Sequence, residues 1–146
     1  FVTSRFEAVI ASDIHVVFFI PFIVYMADAV GTQTQSIYVR DLRSGKANFK
    51  KYLMKEALVG VALATAASLV AGLIVLFWLG STPLACAVSL SMFLAVGSAP
   101  LVALLVAEAL QLERTDPAVG AGPIATVIQD TLSVLIYGLV TSFILL

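Results

Sequence analysis

Charge is scarce in this chain. Eight Lys and Arg and nine Asp and Glu make up 12% of its 146 residues, while 61% are hydrophobic and the mean hydropathy is +1.08. That balance excludes an ordinary soluble domain and points to a chain whose main solvent is lipid. Cysteine occurs once, at Cys86, which excludes an intrachain disulfide and any cysteine-based metal cluster. Histidine also occurs once, so His15, at the head of an apolar run, reads as an interfacial side chain rather than half of a ligand pair. Neither GxGD nor GxSxG is present, and there is no low-complexity tract or convincing internal repeat. No basic segment and small-residue cleavage site flank an early apolar core, so no signal peptide is expected. The opening on Phe1 reads as that of a fragment, with Phe1 and Val2 as the tail of an earlier span.

Long apolar runs are what the chain has in quantity. Roughly 20 apolar residues cross a bilayer, and stretches at about 14–30, 52–80, 84–110 and 123–146 meet or approach that length. The expected fold is an all-α integral membrane helical bundle of about four spans, one transmembrane domain over 1–146. Residues 1–12 read as a surface connection, and Pro21 as a tolerated kink in the first run. Gly60, Ala64, Ser68 and Gly72 recur every four residues and line one helix face suited to close packing. The GSTP turn at Gly80 to Pro83 sends the next span back antiparallel, Gly97, Ser98 and Pro100 mark a local break, and Glu108 is placed to snorkel to water. Six of the eight basic residues (Arg40, Arg43, Lys46, Lys50, Lys51 and Lys55) fall in one polar stretch. Topology explains them better than nucleic-acid binding does: the 40–55 loop stays cytoplasmic, in a multi-pass protein of the cell (inner or plasma) membrane.

One residue is out of place in this composition. Asp130 sits well inside the last apolar run, where a carboxylate costs about 2.5–3.5 kcal/mol even on lenient insertion scales. Thr126, Asp130, Ser133, Tyr137 and Thr141 follow at spacings of 4, 3, 4 and 4, so the carboxylate belongs to a polar stripe on one helix face. Gly120, Gly122 and Pro123 are expected to open that helix. The stripe's donors are all oxygens, which suits a hard cation such as Mg²⁺ or Ca²⁺ rather than Zn²⁺ or Cu⁺. One carboxylate per chain suits Mg²⁺, and two chains about a twofold axis present a pair, so a homodimer with the ion near its axis is expected. Asp28 either reaches the headgroups or lines the mouth of the path, and GTQTQS after it, Gly31 to Ser36, offers neutral oxygen dipoles at a helix end. The expected metal ligand is therefore Asp130. Gly122, Ala125, Thr126, Gln129, Ser133, Tyr137, Asp28, Gly31, Thr32 and Gln33 are the residues expected to line a pore, and no residue is expected to be catalytic. Two other classes compete: an intramembrane aspartyl-type protease pairing Asp130 with Asp28, and a non-catalytic assembly subunit with Asp130 hydrogen bonded inside one chain.

DPAVGAGPIATVIQD, Asp116 to Asp130, resembles the DPA…GP…T…D pattern that leads into the last helix of the MgtE family of magnesium transporters and channels. Pro21, GTQT at Gly31 to Thr34, and Arg40 are similar to that family's P…GxQ…R. Lys55, Glu56 and Gly60 resemble the opening of its next helix, and Arg5, Phe6 and Glu7 its segment before the second helix. The resemblance implies a five-helix membrane domain of which this chain holds the last four helices, a homodimer with a central Mg²⁺ pathway, and a pore carboxylate at Asp130 beside the Gly122 to Thr126 backbone. The family's GGN reads Ala27, Asp28, Ala29 here, with a carboxylate where glycine is usual.

Overall fold

The computed structural model describes residues 2–146, with the side chains of 6–11 and 13–146. Phe1 and the side chain of Arg5, both used above, lie outside the described residues. Five helices follow in order: α1 Val2–Ser12, α2 His15–Arg43, α3 Phe49–Leu79, α4 Thr82–Leu112 and α5 Pro117–Leu145. The last four run 29 to 31 residues and are apolar enough to cross a membrane. At 1.5 Å per residue each is about 45 Å long, enough for the hydrocarbon core and both headgroup layers.

Local chemistry sets the ends. The Asn48 side chain accepts a hydrogen bond from the Lys51 amide at 3.0 Å and caps α3, which stops at Gly80 in a left-handed conformation (φ 64°). Ser81 caps α4 with Pro83 in its first turn, and Asp116 caps α5 by accepting from the Ala118 amide at 2.9 Å. The start of α5 therefore lies earlier than Gly122 and Pro123 suggest, and Pro123 is interior to the helix. The first twelve residues also differ from expectation, since 2–12 form a helix packed along α5.

The largest departure is α2. Its apolar run ends near Val30, yet the helix continues through GTQTQS to Arg43 because neighbouring helices satisfy the polar side chains it carries. Thr34 donates to Glu56 at 2.9 Å, and Tyr38 donates to Glu108 at 2.6 Å. Glu108 is thus tied to α2 rather than extended into water. Tyr52 donates to Asp41, and Arg43 meets Asp116 at 3.0 Å. With the Ala118 amide, Arg43 holds the Asp116 carboxyl below the usual carboxylate range. These links gather the C-terminus of α2, the N-terminus of α3 and the α4–α5 connection at one end, where most of the basic residues lie.

Central α4 packs on α2, α3 and α5, while α2 and α3 barely touch. Its buried face is dominated by small residues, including Ala87, Ser91, Ala95, Ala99 and Ala103. The four-residue small stripe of α3 meets it directly. A Cβ on Gly60 would lie 2.9 Å from the Pro100 ring, one on Gly72 would collide with the Ser89 hydroxyl, and that hydroxyl donates to the Ser68 carbonyl at 3.0 Å. Backbones approach here because nothing larger fits. Outward-facing α3 residues such as Leu58, Leu69, Phe77 and Trp78 are exposed, as lipid-facing positions are. Gly60→Val is expected to destabilise the bundle by about 1–3 kcal/mol, seen as earlier unfolding of the purified protein in detergent, whereas Leu58→Val on the lipid side leaves the transition nearly unchanged.

Candidate functional site

α2 and α5 are antiparallel neighbours across α4, and their polar residues meet midway along the bundle. Thr126 of α5 donates to Asp28 Oδ1 at 3.0 Å. A cavity of about 10 Å³, close to the room one water needs, lies beside this pair. Asp28, Gly31, Thr32 and Gln35 line it from α2, Ala99, Val102 and Ala103 from α4, and Ala125, Thr126 and Gln129 from α5. Gly31 faces Ala99 here, and a Cβ on it would make ordinary van der Waals contact at 3.5–3.6 Å.

Gln129 is 3% exposed. Its Nε2 donates to the Ala95 carbonyl at 3.1 Å and contacts Ser133 Oγ at 3.2 Å. Only the amide nitrogen can face a carbonyl oxygen favourably, so the orientation is fixed and Oε1 is the atom left over. Among the described residues it has no hydrogen-bond partner. The next residue, Asp130, repeats the pattern: Oδ1 is buried and unpartnered, and its charge lies within interaction range of Asp28. Two neighbouring residues thus each present an unsatisfied buried oxygen, costly unless a donor or cation meets it.

Below Asp130 the stripe changes character. Ser133, Tyr137 and Thr141 are all but inaccessible. Tyr137 donates to the Val16 carbonyl at 2.8 Å, and Thr141 to the Tyr137 carbonyl at 2.6 Å. These groups tie α5 to α2 and to itself.

Of the residues expected to line a path, Asp28, Gly31, Thr32, Ala125, Thr126 and Gln129 surround one cavity. Gly122 sits one turn above, within 3.5 Å of Gln35 Nε2 measured from an added Cβ. Gln33 is exposed and outside the lining, and Ser133 and Tyr137 lie in the packed region. Gln35 was not expected. Its signal was present, since 28, 31, 32 and 35 stand at i, i+3, i+4 and i+7 on one helical face, a spacing that also turns Gln33 away. His15, at the opposite end, is exposed and contacts Asp13 at 2.7 Å. Among the described residues no three of His, Cys, Asp and Glu group as a metal site, so any cation here relies on neutral oxygens as well.

Fold and site define a class: a polytopic α-helical membrane protein with a crevice lined by carboxylate, amide and hydroxyl oxygens between two of its spans. Comparison with known proteins narrows it. Residues 20–140 match the MgtE family, described as divalent cation transporters. Two curated relatives carry the name magnesium transporter MgtE. The one from Bacillus subtilis is 27% identical over 98% of this chain and 33% of its own length. That from Enterococcus faecalis is 29% identical over 92% of the chain and 30% of its own length. The chain therefore spans about a third of these relatives. It belongs to the MgtE family, a family of transporters and not of enzymes, which removes the protease reading. The assembly-subunit reading required an Asp130 hydrogen bonded within one chain, and Oδ1 is unpartnered.

The packed half of the stripe gives its own prediction. Tyr137→Phe removes the interhelical bond to the buried Val16 carbonyl and is expected to lower stability by about 0.5–1.5 kcal/mol, read from thermal unfolding in detergent.

Proposed function

We propose that this chain is the ion-conducting part of a divalent-cation transporter whose cargo is Mg²⁺, with Asp130 as the pore carboxylate. Membership of the MgtE family supports the transport class, and the names of the two relatives support Mg²⁺. The observation that carries the role of Asp130 is its buried, unpartnered Oδ1 inside a membrane helix. An acceptor in that position is satisfied by a cation or by the cation's own waters. Mg²⁺ sheds water reluctantly and is held through one or two carboxylates while keeping several waters. Two chains in a homodimer bring two Asp130 carboxylates to a shared axis, matching the charge of one divalent ion. In this arrangement the pair attracts the hydrated ion, and carbonyls of the Gly122 to Thr126 turn and nearby hydroxyls bond its waters.

The protein sits in the plasma membrane (the inner membrane, where there are two). The end bearing Arg40, Arg43, Lys46, Lys50, Lys51 and Lys55 faces the cytoplasm, following the bias of basic residues to the inner side. Mg²⁺ flux into proteoliposomes containing the intact protein tests the reading. Asp130→Ala is expected to abolish uptake and Asp130→Asn to reduce it by about tenfold or more. Undiminished flux in both variants would overturn the role of Asp130.

A further inference from the structure

Asp130 leaves a second set of oxygens unexplained. Asp28 stands where the family pattern has glycine, one helical turn nearer the basic end, and its Oδ1 is held by Thr126. Nothing in the Asp130 reading requires this carboxylate, which has its own insertion cost. It lines the cavity of about 10 Å³ together with Gln129, whose fully oriented side chain leaves Oε1 without a partner. Among the described residues no Lys, Arg or His lines that cavity. The negative charge of Asp28 is thus not balanced by a side-chain cation at its own site.

We propose that Asp28, Thr126 and Gln129 form a second cation site, built entirely within one chain. Its occupant is a small hard divalent cation, bound through the free Asp28 oxygen, Gln129 Oε1 and the Thr126 hydroxyl oxygen. All three are the hard donors such ions prefer. Size sets the hydration state. A cavity with room for one water does not admit a fully hydrated ion, so an ion here has exchanged part of its water shell for protein oxygens. Thr126 fixes the carboxylate with one oxygen engaged and the other free, as the partner of a ligating carboxylate commonly does. Thr126 and Asp130 are four residues apart on the same face of α5, so the two sites stand one turn apart and an ion leaving one is within reach of the other. The inference rests on reading the α2–α5 crevice as an ion path, but not on the pairing of Asp130 across a dimer.

The test is Mn²⁺ binding to the intact protein in nanodiscs of neutral lipid, counted by electron paramagnetic resonance from the loss of the free-ion signal. Asp130→Asn is expected to retain a Mn²⁺ site on each chain that disappears when Asp28→Asn is added, and Asp28→Glu is expected to restore it. Thr126→Val, which changes no charge and keeps the shape, is expected to weaken the site by about tenfold or more. Equal Mn²⁺ counts in Asp130→Asn and in the double variant overturn the second site. Where the double variant does not give a monodisperse protein, unchanged Mn²⁺ affinity in Thr126→Val overturns it. Failure of the Asp130 reading shows separately, as a wild-type Mn²⁺ count in Asp130→Asn alone.

Discussion

A carboxylate inside a membrane helix has to be met by something, and the rest of this bundle is arranged around that requirement. Each buried charge or unpartnered oxygen in lipid costs several kcal/mol. Most of the polar groups are answered within the chain: Thr34 by Glu56, Tyr38 by Glu108, Tyr137 by the Val16 carbonyl. Those pairs let α2 continue as a helix well past its apolar run and fix it against α3, α4 and α5. The groups left unanswered, Gln129 Oε1 and Asp130 Oδ1, stand side by side on α5 next to Asp28. Among the described residues these two are the buried side-chain oxygens without a partner, and this is what supports the proposed cation.

Packing makes that exposure of oxygens possible. Small residues on α3 and α4 bring those helices together at Gly60 and Pro100, so α4 forms a firm floor beneath the α2–α5 crevice. Gly31 of α2 lies against Ala99 at the crevice wall. The same α5 that carries Asp130 is anchored below it by Ser133, Tyr137 and Thr141, so one helix face presents unpartnered oxygens in its upper half and packs against its neighbours in its lower half. This division places Asp130 on a rigid element, as the proposed ion site requires.

Much of this was legible in the residues, and the exceptions have physical causes. Four-residue spacing puts Gly60, Ala64, Ser68 and Gly72 in one line whatever surrounds them, so a packing face could be read directly. The line from Thr126 to Thr141 was equally visible, but its division at Asp130 was not, because whether a hydroxyl meets water or a carbonyl depends on the facing helix. α4 is apolar on nearly all sides and therefore carries no periodic signal of its central position. The length of α2 was hidden for a related reason: Thr34 and Tyr38 look like the end of a span until partners 22 and 70 residues away are brought beside them. Asp28 was visible as an anomaly, and only the fold shows that it belongs to the same crevice as Gln129.

The position of the ion is what the proposed role of Asp130 turns on. Anomalous diffraction from crystals of the intact protein grown with Mn²⁺ addresses it most directly. A peak is expected on a molecular twofold axis between two Asp130 carboxylates. Ordered Asp130 side chains far from any axis, each hydrogen bonded within its own chain and with no peak between them, would contradict it.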